Sequence, residues 1–172
     1  IGVAYLINGQ NDWQVQYNIN YNGTQPWGGT YAQGRHPSVI ATSDYPYALW
    51  TEYTNQGLGY GGRPYYSYDE FGWDGTSWLY PIDVDPFFDD DKDLWTGSVA
   101  HGFDASSGGH HVSAVYDDWT RSGSFLFTSE AFEGGFIPFG SETLVINPAH
   151  LGTDGYSSSA ILSMNDNGHG LL

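Results

Sequence analysis

The run Ser38-Val39-Ile40-Ala41-Thr42-Ser43-Asp44-Tyr45-Pro46-Tyr47-Ala48-Leu49-Trp50 decides how this chain is read. A small and β-branched segment goes out, Asp44 to Pro46 supply a turn, and Ala48-Leu49-Trp50 comes back, the pattern of a hairpin. The same pattern recurs in Ser98-Val99-Ala100, a turn through Ser106 to Gly109, and Ala114-Val115-Tyr116. A third copy starts at Ser159-Ala160-Ile161-Leu162 and turns at Asn165 to Gly168. Its return strand is matched by Val3-Ala4-Tyr5 at the other end of the chain, which carries the same small-then-aromatic signature.

Outward from these hairpins, period-2 alternation marks Trp13 to Tyr21, with Val15, Tyr17, Ile19 and Tyr21 on one face, and also Tyr47 to Tyr53, His111 to Tyr116 and Ser124 to Thr128. Asn22-Gly23, Asp74-Gly75, Gly108-Gly109 and Asp166-Asn167-Gly168 separate such segments with residues that tolerate positive φ. No window of helical length carries the i, i+3, i+4, i+7 pattern uninterrupted, so the chain is expected to be all-β. A third strand follows each return strand, at Trp13 to Tyr21, Pro64 to Tyr68 and Phe125 to Thr128. A polar corner and an aromatic-led fourth strand come next: Asn22-Gly23-Thr24-Gln25-Pro26-Trp27 lies over Asp74-Gly75-Thr76-Ser77-Trp78, and more loosely over Gly134-Gly135-Phe136.

Four short antiparallel strands per unit, three units in 172 residues, predict a β-propeller in one domain spanning 1–172. The blades cover approximately 1–34 plus 157–172, 35–93 and 94–156. A sandwich, a jelly roll or another all-β arrangement are the alternatives. Closed propellers usually need at least about four blades, so three imply a larger or oligomeric ring. Either the chain belongs to a longer propeller, or two copies join head to tail, each start completing the other's last blade. The same contact makes a filament when the rotation does not close.

Composition narrows the function. Twenty Asp plus Glu against 4 Lys plus Arg give a formal charge of −16, which excludes a nucleic-acid partner. No stretch approaches the roughly 18 uninterrupted apolar residues of a membrane span. Seven Trp, 14 Tyr and 9 Phe supply the buried area that disordered chains lack. The absence of Cys excludes disulfides and thiolate metal sites without fixing a compartment.

The small-apolar first strand, the Ser-Asp turn, the Ala-x-aromatic second strand and the Gly-Thr-x-Trp-type corner resemble the blades of bacterial exported propellers, broadly the sialidase-like group with Asp-box repeats. The full Asp box is not present, and Asp74-Gly75-Thr76-Ser77-Trp78 is a degenerate echo of it. The resemblance implies an extracellular, cell-surface or periplasmic location. It also implies a ligand face formed by the second-to-third-strand loops and the interblade connections.

That rule places Arg35 in an interblade connection and Arg63 and Arg121 in second-to-third-strand loops. In sialidases three arginines hold the substrate carboxylate, because planar guanidinium forks pair with it bidentately; the alternative here is that each pairs with a nearby acid of its own chain. Asp117-Asp118-Trp119 sets acids and an aromatic at a rim, as sugar sites do, or is an ordinary polar loop. The run Asp83, Asp85, Asp89, Asp90, Asp91 and Asp93 offers oxygen ligands to Ca²⁺ without an EF-hand register, or is a solvated acidic loop.

Glu52, Asp69, Glu70, Asp117, Asp118 and Glu130 form the pool from which a glycosidase pair would come. The six histidines, His36, His101, His110, His111, His150 and His169, show no metal-ligand spacing and read as structural or surface groups. No G-x-S-x-G, G-x-G-x-x-G or P-loop is present. Asn22-Gly23-Thr24 matches a glycosylation acceptor but is explained by its turn. Together these features predict an extracellular binding or assembly module for a glycan, Ca²⁺ or protein, without catalysis of its own. A sialidase-like hydrolase fragment and a structural filament subunit are the rival classes.

Overall fold

The computed structural model describes residues 1–6, 9–20, 34–54, 61–74, 77–89, 91–147, 149, 160–166 and 169–172. The corner 22–27, Gly75-Thr76, Asp90, His150, Ser159 and Asn167-Gly168 lie outside the described residues. The protein is all-β. Its strands are β1 (Gly2–Tyr5), β2 (Gln14–Tyr17), β3 (Gly34–Ala41), β4 (Pro46–Thr54), β5 (Gly61–Tyr68), β6 (Ile82–Asp83), β7 (Leu94–Asp104), β8 (Gly109–Asp118), β9 (Gly123–Thr128), β10 (Thr143–Ile146), β11 (Ser163–Met164) and β12 (Gly170–Leu171), with one 3-10 turn at Gly72–Asp74. They form two four-stranded antiparallel sheets, β3-β4-β5-β6 and β7-β8-β9-β10, and two hairpins, β1-β2 and β11-β12. One sheet curls strongly, in the manner of a half-barrel.

The two large sheets repeat one another down to their irregularities. Ser38 stands opposite Leu49 and Ser98 opposite Val115, and each first strand breaks register just before its serine, between Arg35 and Ser38 and between Trp95 and Ser98. Such a bulge bends the strand and increases its twist. In the first sheet it puts His36 at φ 50°, a left-handed conformation uncommon outside glycine.

The serines also join the units. Ser38 Oγ donates to the Gly97 carbonyl at 3.4 Å, and Ser98 Oγ accepts from Leu162 N at 3.2 Å. Gly97 and Leu162 each precede a serine, Ser98 and Ser163, and Ser163 stands opposite Leu171 as Ser38 does Leu49. The β11-β12 hairpin thus carries at Ser163 the register of Ser38 and Ser98, while the expected start at Ser159 lies outside the described residues.

The first sheet is covered on both sides. Tyr47, Leu49 and Tyr66 face the second sheet and pack on Leu94, Val112, Ala114, Tyr116, Phe125 and Phe127. Ala48, Trp50 and Tyr65, the alternate residues of the same strands, pack on Val3 and Ile19 of the β1-β2 end. This is the period-2 geometry of strands buried on both faces. Gly62 makes the close approach of the sheets possible, since a Cβ there would lie 2.5 Å from the Leu94 carbonyl oxygen and from the Trp95 ring.

The hydrogen bonding beside β1 is similar to that beside β5. Ile19 N donates to Ile1 O as Val84 N donates to Pro64 O, and the buried Asn20 and Asp85 follow. Of the expected strand from Trp13 to Tyr21, whose last residue lies outside the described residues, Gln14–Tyr17 forms β2, and Asn18 follows it with φ 58°. The second sheet repeats the motif at Ile146-Asn147, where Ile146 pairs with Ser124. The Asp85 and Asn147 side chains each accept from the backbone N–H two residues on, Phe87 and Ala149, both at 2.9 Å. Both are Asx turns.

Candidate ligand-binding face

The loops at the β8–β9 end meet the connection between the two large sheets, because Trp119 N donates to Asp93 O at 2.9 Å. Four rings gather there. The Trp95 ring lies 5.3 Å from Tyr53, 6.0 Å from Trp119 and 6.3 Å from His36, and Arg35 sits over Tyr53 at 4.9 Å. Trp95 is buried and its indole N–H is bonded to Asp93, whereas Trp119 is 61% exposed. The result is an exposed indole pinned by its backbone and backed by a buried one, with an exposed guanidinium and imidazole on the same cluster. Sugars, whose C–H faces stack on such rings, are met by platforms of this kind.

Of the predicted site residues, Arg35 and Trp119 come together around Trp95. Arg35 lies in β3 and Arg63 in β5, not in loops; Arg121 follows β8. Arg63 is engaged by Asp83 at 2.6 Å and lies over the Phe88 and Tyr65 rings. Arg121 is held by Asp118 at 2.5 Å and by both oxygens of Glu142 at 2.5 and 2.9 Å. Burial opposes its charge, but these bonds win and raise its pKa, and the Arg121 fork in turn holds the Glu142 carboxyl below the usual range.

Lys92 continues the network, bonded to Asp85 at 2.7 Å and 3.7 Å from Glu142. Two of the three predicted carboxylate-binding arginines are thus bound to acids of their own chain. Asp117 accepts from Ser124 Oγ at 2.6 Å, and Asp118 also caps the Thr120 and Arg121 amides, both at 2.9 Å, so both acids shape the loop beneath Trp119.

The acidic run is built into the connection. Asp85 is taken by Lys92 and the Phe87 amide, Asp93 by Gly62 N at 2.7 Å and the Trp95 indole, and Asp89 by Asp91 N at 3.2 Å. Among the described residues no three His, Cys, Asp or Glu side chains assemble as a metal-holding group. Asp69, likewise buried, accepts from Phe71 N at 2.9 Å and Ser77 N at 3.0 Å, and Glu52 accepts from the Trp50 indole and the Asn20 amide, both at 3.1 Å.

Two features escaped the sequence. At the opposite end of the sheets an open polar cleft of about 660 Å³ is lined by Asp44, Glu70 and Glu133 with Tyr45 and Phe71. In the β7–β8 hairpin, His101 Nε2 and His110 Nδ1 are 2.9 Å apart. The sequence signal for the pair is His101, diagonal to His110 across a hairpin in which Phe103 pairs with His110. No helix of the described residues is long and apolar enough to cross a membrane. No family model, curated protein or solved structure matches the chain.

Proposed function

We propose that the chain is a run of propeller-type blades serving as an extracellular carbohydrate-binding module, with the ligand face at Arg35, Tyr53, Trp95 and Trp119. The observation that carries the binding role is the exposed Trp119 indole, held at 6.0 Å from the buried Trp95 ring. The repeated bulges and serine contacts support the blade reading.

Trp119 and Arg35 provide a stacking surface and a fork of donors, a combination suited to an acidic or hydroxyl-rich glycan. Titration of neutral and acidic oligosaccharides, followed by tryptophan fluorescence, tests this directly. Trp119→Ala is expected to abolish the response and Arg35→Ala to weaken it, both with unchanged melting. No response to any oligosaccharide, or full binding by Trp119→Ala, overturns the reading.

Glycoside hydrolysis is the second reading, favoured by the convergence of Asp44, Glu70 and Glu133 on one cleft. Turnover of aryl-glycosides that Glu70→Gln abolishes would replace binding with catalysis. Ca²⁺ at the acidic run would compete with the protein for the described aspartates, because Asp83, Asp85, Asp89 and Asp93 each already accept a hydrogen bond or ion pair from the chain. EGTA is therefore expected to leave the melting temperature unchanged, and a fall would restore the ion.

A further inference from the structure

Between the β1-β2 hairpin and the first large sheet runs an apolar groove of about 380 Å³, lined by Val3, Ala4, Trp13, Val39, Trp73 and Trp78 among others. The second sheet shows what belongs in such a place. There, each third strand has a second strand beside it, and Val99 of the first strand is half-buried against the intersheet core. Val39, the counterpart of Val99 opposite Ala48 as Val99 is opposite Ala114, is 69% exposed. β1 pairs with β2, and the Ile1–Ile19 bond gives it toward Ile19 the place that β5 holds toward Val84. The groove is therefore a first-and-second-strand slot.

We infer that this slot accepts the β11-β12 hairpin of a second copy of the chain. The hairpin has the matching identity, since Ser163 carries the register of Ser38 and Ser98, and Leu171 that of Leu49 and Val115. It also has the matching chemistry: Leu171, 80% exposed, corresponds to two residues buried in intersheet cores. Carrying over the β4–β5 register, in which Leu49 faces Tyr66 and Ala48 faces Ser67, the incoming Leu171 stands opposite Val3 and Gly170 opposite Ala4. The partner's Leu171 then packs on Pro46 and Ala48 as Leu49 packs on Val112 and Ala114. Strand addition of this kind is directed by main-chain hydrogen bonds and by alternate side chains. The contact is heterologous, so it closes a ring or extends an array. It rests on the blade reading above and not on the carbohydrate site.

The test is light scattering of the whole chain over a wide concentration range, with Leu171→Asp and Val39→Asp as separate variants at exposed positions. A particle heavier than 19.0 kDa that either substitution returns to 19.0 kDa supports the contact. A wild-type mass of 19.0 kDa at every concentration, or an assembly indifferent to both substitutions, overturns it. Because the chain has no Cys, mixing Ala4→Cys and Gly170→Cys chains gives a second readout. A disulfide between unlike chains, and not between like ones, is expected; its absence under oxidising conditions counts against the register. Oligosaccharide titration of the 19.0 kDa variants keeps the glycan reading separately open to failure.

Discussion

The two faces of the first large sheet share the same strands and differ in what covers them. Among the described residues, thirteen buried ones form one core toward β7–β10, with a full sheet opposite. Toward β1-β2, five buried residues among those described form a second core, and an apolar groove opens beside it. Alternate residues of β4 serve the two sides equally: Leu49 and Tyr47 look one way, Trp50 and Ala48 the other, all of them buried. A strand with both faces apolar is built to sit between two sheets, so the shortfall on the hairpin side lies in the cover and not in the sheet itself.

Truncation on either side is the strongest way to break this comparison. Leu49→Ala should cost about 3 kcal/mol, within the usual range for a fully enclosed leucine. Val3→Ala, beside the groove, should cost about 1.5 kcal/mol for the two methyl groups it removes. Equal losses in denaturant melts would mean that the two faces are equally filled. Gly62→Ala comes next, at about 2 to 3 kcal/mol, because the added methyl meets the Leu94 carbonyl and the Trp95 ring and can be relieved only by moving the sheets apart. An unchanged midpoint would show that the sheets do not approach so closely at that point.

Arg121→Met should cost about 2 kcal/mol, since it leaves the buried Asp118 without its counter-charge while the Thr120 amide still caps it. The loss should persist in high salt, as a screened surface pair would not. A loss that vanishes in salt would place the pair in open solvent.

The smallest effect is a pH dependence from the second sheet. Burial holds His101 and His110 below the ordinary imidazole value, and for His101 the neighbouring His110 charge adds to it, while Asp166 near His101 and Asp44 near His110 act in the opposite sense and His111 reinforces the lowering of His110. The unfolded chain therefore binds more protons below about pH 6.5, so the stability of the neutral pair is present above that pH and is lost as pH falls toward the folded values. Melting temperature should decline on acidification through this window, and His101→Gln should flatten the decline. A wild-type profile that is already flat would remove the pair from the account.

The all-β character was legible because strand and turn chemistry alternate without a helical interval, and the hairpins at Ser38 and Ser98 were legible because both begin with Ser-Val and return through alanine. The third repeat read from Ser159 lies outside the described residues, and in the β11-β12 hairpin it is Ser163 that stands as Ser38 and Ser98 do. The small-then-aromatic signature of Val3-Ala4-Tyr5 does not by itself distinguish neighbouring strands of one sheet. The acidic run was visible, but its use was not. Lys92 reaching toward Glu142, fifty positions on, and aspartates folding back on amides two residues ahead are products of tertiary and turn geometry. The rim was half legible: Trp119 and Arg35 were named, while Trp95, the ring that brings them together, looked like another buried aromatic.

The serine contacts have a mechanical consequence. Among the described residues, β3 and β7 share no ladder; what links their backbones is one hydroxyl, Ser38 to Gly97. Pulled from its ends, such a chain has no long zipper resisting at the seams, and its sheets should detach in succession rather than together. Each release frees the 60 residues from Ser38 to Ser98, a step of roughly 200 Å of contour length at about 3.5 Å per residue. Stretched between two surfaces, the protein would act as an extensible tether that yields in steps.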